Sequence, residues 1–194
     1  MKKSKEHLMT GTLVLIMGAI IALTIDGCNK PSATAPILPG NEQLTTTFLV
    51  YTDAADTLVH DTAFRSQYPP QFTDTAQSFL HLKAGHTYTV RILIVDSTQA
   101  PSDSLFNVTA QIELRKNYHL ICFTNYENLQ LTETRLDYDN NTPPLQVGLL
   151  DQFVCGAASS GQLEVVLHHQ PDVKNGSCDP GSIDLDDFFN VIIQ

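Results

Sequence analysis

Thr87-Tyr88-Thr89-Val90-Arg91-Ile92-Leu93-Ile94-Val95 decides the fold. Tyr88, Val90, Ile92 and Ile94 fall on one side of an extended chain, and Thr89 and Arg91 on the other, which is the period of a half-buried strand. Similar β-branched and aromatic runs stand at 44–51, 58–65, 77–82, 118–124, 130–137, 145–154, 162–169 and 183–193, separated by turn residues. Nine such runs spaced by turns predict an all-β sandwich of about eight to nine strands. In the last run Ile183, Leu185, Phe189, Val191 and Ile193 are expected to alternate inward, with Asp187 breaking the series at a bulge. One stretch has another rhythm. Over 106–117, Val108, Ile112 and Arg115 follow a spacing nearer to helix, and Asn107 offers a cap, so a short helix crossing between the sheets is expected.

The N-terminal stretch reads as an export signal. Lys2, Lys3 and Lys5 precede an apolar segment, 13–23, interrupted only by Gly18. The uncharged stretch 8–25 just reaches the length of a spanning helix, but its strongly apolar part is too short for one and suits a signal core. Ile25 and Gly27 fit a lipobox before Cys28, and Asp26 departs from it. The expected organisation is a signal peptide at 1–27, a lipidated Cys28 opening a flexible stalk at 28–43 with Pro31, Pro36 and Pro39, and a β-sandwich domain at 44–194. Several acyl chains such as palmitate on Cys28 would tether the domain to the outer membrane. The following Asn29-Lys30-Pro31-Ser32 holds no acidic cluster of the kind associated with surface export, so the periplasmic face is at least as well supported as the cell surface.

Composition narrows the partners. Of 11 Lys and Arg and 21 Asp and Glu, three lysines and two acids lie in the signal, which leaves a formal charge of −11 on the remainder. Nucleic acid is excluded as a natural partner by that charge. Three cysteines follow Cys28. Cys122 lies in the apolar run 120–123, whereas Cys155 and Cys178 neighbour Gly and Pro, so a Cys155–Cys178 bridge with a buried Cys122 thiol is favoured. Their spacings match no structural zinc motif.

Several longer features carry a family resemblance. Lys83-Ala84-Gly85-His86-Thr87-Tyr88-Thr89-Val90, His119 opening an aromatic strand, and the Asp-rich turn in 131–141 are three of them. The ending is the most specific: Gly161-Gln162-Leu163-Glu164-Val165-Val166-Leu167-His168-His169-Gln170-Pro171, then Val173-Lys174-Asn175-Gly176 and Asn190-Val191-Ile192-Ile193-Gln194. Together they resemble a group of small Bacteroidota lipoproteins over most of 44–194. The resemblance implies an immunoglobulin-like antiparallel sandwich. Members often carry the label of a type 1 periplasmic binding fold, but such a protein has two α/β lobes, and this chain has neither the length nor the alternation of strand and helix. The group has a strongly acidic run before the position of His119 and an Arg at that of His168; here the run is reduced to Glu113 beside Arg115 and Lys116. Asp56-Thr57-Leu58, Asp61-Thr62-Ala63, Asp74-Thr75-Ala76 and Asp103-Ser104-Leu105 resemble acceptors for O-linked glycans on exported proteins of these bacteria.

The candidate site lies at strand ends. His119 and His169, on neighbouring strands, are expected to face each other and to offer a transition metal two imidazoles, whereas His168 points to the other face. His60, His81 and His86 are isolated and read as surface residues. Asp137, Asp139 and Asn141 place oxygens at alternate positions, as calcium loops do, but the sixth position is Thr142 and the twelfth Gly148, so a polar turn closed by Pro143-Pro144 is the better reading. No serine-hydrolase, Walker or His-Glu-x-x-His sequence occurs, and Asp184, Asp186 and Asp187 read as a solvated strand face. These features lead to a non-enzymatic envelope lipoprotein that binds a ligand or metal beside an outer-membrane transporter or other envelope protein. The alternative is a structural or adhesive envelope protein without a small-molecule ligand.

Overall fold

The computed structural model describes residues 43–66 and 78–194. The signal, Cys28, nearly all of the stalk and Asp74-Thr75-Ala76 lie outside the described residues. Among those described, nine strands build two sheets: β1 (Thr46–Asp53), β2 (His60–Ser66), β3 (Phe79–Leu82), β4 (Thr87–Val95), β5 (His119–Asn125), β6 (Leu131–Arg135), β7 (Leu150–Cys155), β8 (Ser159–His169) and β9 (Ser182–Ile193). One sheet has the order β2-β1-β4-β7-β6 and the other β3-β9-β8-β5. The predicted sandwich is therefore present. Every neighbouring pair is antiparallel except β3 and β9, which run parallel.

Alternation explains how the two sheets meet. In β4, Tyr88, Val90, Ile92 and Ile94 are all buried, as their spacing predicts. They join Leu49, Phe153, Val165, Leu167, Phe189 and Val191 in one core. Phe123 of β5 meets Phe153 of β7 edge to face, with ring centroids 5.6 Å apart, and so links the two sheets. No helix among the described residues is long and apolar enough to cross a membrane.

The expected crossover helix is α1 (Val108–Leu114), between β4 and β5 and hence between the sheets. The Asn107 side chain accepts from the Ala110 amide as its cap, and Val108 and Ile112 bury one face. Thr109 fastens the helix to β4 by accepting from the Ile94 amide at 2.6 Å and donating to the Ile94 carbonyl at 3.1 Å. A single 3-10 turn, Lys116–Tyr118, then delivers the chain to β5.

Two expectations need correction. Asp187 does not interrupt the inward face of β9: it is buried within it, between Leu185 and Phe189, and accepts from Thr47 Oγ1 at 2.6 Å across the sandwich. The bulge lies earlier, where Leu167 pairs with Leu185 but His168 pairs with Ile183, so that Asp184 is the extra residue. Ile183 consequently turns out to solvent, at 59 % exposure.

The disulfide also differs from expectation. It joins Cys122 to Cys178, and Cys155 is a buried free thiol. Strand parity gives the reason: Cys155 shares the inner face of β7 with Asp151 and Phe153, while Cys122 alternates with the core residues Ile121 and Phe123 and so faces away from them. Turn residues beside a cysteine do not report which sheet face it occupies. Burial pushes the Cys155 thiol up to about 11, so it stays protonated and unreactive.

Candidate functional site

The turn after α1 sets the first histidine. Arg115 ends the helix, and its carbonyl accepts from His119 Nδ1 at 3.1 Å. That bond places the proton on Nδ1 and leaves Nε2 as the ring's acceptor. Pairing of β5 with β8 puts His119 opposite His169, and the two rings stack with centroids 5.0 Å apart and planes 13° apart. The expectation that these residues face each other is met. Burial, outweighing the Arg115 carbonyl and assisted by positive charge at His169, Arg115 and Lys174, lowers the His119 pKa from 6.5 to about 4. His119 is therefore neutral at physiological pH.

The bulge in β9 supplies a third group that periodicity does not reveal. Asp184 Oδ2 lies 3.9 Å from His119 Nε2 and 4.0 Å from His169 Nδ1. Burial raises the Asp184 carboxyl above its ordinary range, against the pull of His169, Arg115 and His168. These three side chains do not converge as a metal shell. An imidazole lone pair lies in the ring plane, so two nearly parallel stacked rings aim theirs along separate planes rather than at one point. Among the described residues, no group of three or more His, Cys, Asp or Glu is placed to hold a metal ion. A zinc titration of the full chain, followed by calorimetry, is expected to show no saturable site that His119→Ala and His169→Ala both remove. One-site binding lost in both variants would restore a shared metal.

The acidic turn is closed on itself. Asp137 accepts from the Gly148 amide at 2.7 Å and the Leu149 amide at 3.0 Å. Asp139 accepts from the Asn141 and Leu145 amides, from Asn141 Nδ2 at 2.8 Å and from Lys174 Nζ at 2.8 Å. All four carboxylate oxygens are thus used by the protein, and the calcium reading of Asp137, Asp139 and Asn141 gives way to the polar turn. Burial alone would raise the Asp139 carboxyl, but the bonds from Lys174 and the two amides outweigh it and hold it low. The same burial lowers Lys174, against the support of Asp139. Lys174 Nζ also donates to the Lys116 carbonyl at 2.9 Å, so the pair ties the loop after β8 to both the acidic turn and the turn before His119.

Lys174 also lines a cleft of about 480 Å³, together with Asn117, Tyr118, Asn141, Asp172 and Asn175 among others. Asn117 Oδ1 accepts from the Asn140 amide, Asn175 Oδ1 from the Ser177 amide, and Asn141 Nδ2 donates to Asp139. Each partner dictates which end of the side-chain amide it meets, so the orientation of all three is set. Asn117, Asp172, Lys174 and Asn175 were not distinguishable as site residues in the sequence, because each is an ordinary loop residue there. The cleft and the histidine pair are neighbours, since Tyr118 lines the one and His119 begins the other.

No protein-family model, curated protein or solved structure matches this chain. Of the remaining sequence features, His86 is not isolated: its Nδ1 lies 2.8 Å from the buried Asp53 carboxylate. His81 stacks on Phe79, and His60 is exposed on β2. In two of the Asp-Ser/Thr-apolar triplets the aspartate closes a turn: Asp56 and Asp103 accept from the Leu58 and Leu105 amides. Asp61 accepts from the adjacent Thr62 amide on the exposed strand β2.

Proposed function

We propose that the chain is a non-enzymatic envelope lipoprotein, tethered through Cys28, whose sandwich domain captures a small ligand at the loop end built from residues 117–119, 139–145 and 172–175. The single observation that carries this reading is the cleft itself. Its three amides are already oriented by bonds to the protein, and Lys174 in its lining is held by the ion pair with Asp139. Groups held before a ligand arrives lose little entropy when it binds. A concave site with a few placed polar groups on loops carried by a rigid scaffold is the usual form of a binding site. The Cys122–Cys178 bridge supports an oxidising compartment, in keeping with the signal and stalk. An outer-membrane transporter or another envelope protein is the partner such a module would serve.

The test is a fragment screen of the uniformly nitrogen-15-labelled full chain in detergent micelles. Ligand capture at this end is expected to move the backbone amides of Asn117, Tyr118 and Asn175 together for at least one chemical class. If no fragment moves them, the structural or adhesive reading replaces ligand capture.

A further inference from the structure

Resting on the ligand-capture reading, we propose that the cleft takes a neutral carbohydrate of one or two sugar rings. The one lysine of the cleft has a side chain only 2 % exposed, and its head group is turned to Asp139 and the Lys116 carbonyl. Among the described residues that line the cleft, no cation is therefore left to receive a phosphate or carboxylate. Asp172 puts a carboxylate in the lining, and the chain as a whole carries a formal charge of −10. Both features repel anions.

What the cleft offers is the complement of a polyol. Asn117 Nδ2 and Asn175 Nδ2 make no hydrogen bond among the described residues and stand as oriented donors, because the other end of each amide is held by a backbone N–H. Asn141 Oδ1 is an oriented acceptor, since its nitrogen is held by Asp139. The Asp172 carboxylate is a second acceptor. A sugar hydroxyl both donates and accepts, so it satisfies either kind, while a purely apolar ligand would leave them desolvated and unpaired. Tyr118 completes the set: it is 42 % exposed and lines the same cleft. A flat aromatic face can cover the C–H face of a pyranose while the ring hydroxyls reach the amides around it. The volume of about 480 Å³ falls within the range of small-molecule sites.

The experiment titrates the full chain, in detergent, with glucose, galactose, N-acetylglucosamine and their disaccharides, and with the corresponding uronic acids and sugar phosphates. Calorimetry is the readout. At least one neutral saccharide is expected to bind; Tyr118→Ala should weaken it by about ten-fold or more, and Tyr118→Phe, which keeps the ring, by about two-fold or less. Asn175→Ala is expected to weaken it as well, and the charged sugars should bind less tightly than the neutral one. If no saccharide binds while non-carbohydrate fragments move the Asn117 and Asn175 amides, the carbohydrate proposal fails and ligand capture stands. If neither class binds, both fail. Saccharide binding that Tyr118→Ala and Asn175→Ala leave unchanged also overturns the proposal, because it then occurs elsewhere.

Discussion

Replacing Cys122 and Cys178 together by alanine is expected to lower the unfolding free energy by about 4 kcal/mol, the loop-closure entropy of a long cross-link. The bridge spans 56 residues, from β5 to the loop between β8 and β9. That loop carries Asp172, Lys174 and Asn175, three residues of the cleft, and no strand pairing holds it. Its other attachments among the described residues are single bonds: Gln170 Nε2 donates to the Ser177 and Pro180 carbonyls and the Gln170 amide to the Tyr118 carbonyl, and Lys174 Nζ reaches Asp139 and the Lys116 carbonyl. Loss of the bridge should therefore loosen the cleft as well as the fold. The measurement is urea denaturation of the wild type with and without reductant, beside the double variant and Cys155→Ala. Reductant should bring the wild type down to the level of the double variant. Cys155→Ala should cost about 1 kcal/mol, as the loss of one small buried side chain, and keep its sensitivity to reductant. A wild type indifferent to reductant, or a Cys155→Ala variant that has become so, would show that the pairing is wrong.

The fold was legible wherever one face of a strand is buried and the other wet. Tyr88, Val90, Ile92 and Ile94 carry that contrast in their spacing alone, and α1 announced itself by Asn107 and by the interval from Val108 to Ile112. The strand limits were less legible. The run 145–154 reads as one strand, yet β7 begins only at Leu150, because the residues before it wrap around the Asp137 and Asp139 carboxylates. Asp187 misled for a related reason: a charged residue on an inward position looks like a break unless its partner is known, and Thr47 lies 140 residues away.

The site was half legible. His119 and His169 could be placed opposite each other because each lies at the end of a periodic strand, and the pairing of β5 with β8 brings them together. Asp184 could not, since a single extra residue shifts every side chain beyond it to the other face and leaves no compositional trace. The cleft is a feature of three loops that meet only in the folded chain. No period runs through loops, and Asn117, Asn141 and Asn175 gain their meaning from the groups that hold one end of each amide.

Asp151 should make the protein less stable as pH rises from 6.5 to 8. It lies on the inner face of β7, is fully buried, and neither of its carboxylate oxygens has a hydrogen-bond partner among the described residues. Burial, reinforced by the Asp137 and Glu133 charges and only partly offset by Arg135, raises its pKa from 3.8 to about 8. Between those values the folded protein holds a proton that the unfolded chain has released, so each unit of pH favours unfolding by about 1.4 kcal/mol. His119 acts in the opposite direction over part of the range: its folded pKa of about 4 lies below the unfolded 6.5, so the unfolded chain takes up a proton there that the fold refuses. From pH 4 to 6.5 the two slopes cancel. Above 6.5 the slope of Asp151 dominates and flattens as its own pKa is approached, so about 1 kcal/mol or slightly more should be lost by pH 8. Asp151→Asn removes the titration, so its stability should stay level from pH 6.5 to 8 and should fall below 6.5, where His119 is no longer balanced. Urea denaturation of both proteins at half-unit steps of pH is the measurement. A wild type with constant stability between pH 6.5 and 8 would mean that the fold does not keep Asp151 protonated and that Arg135 neutralises it after all.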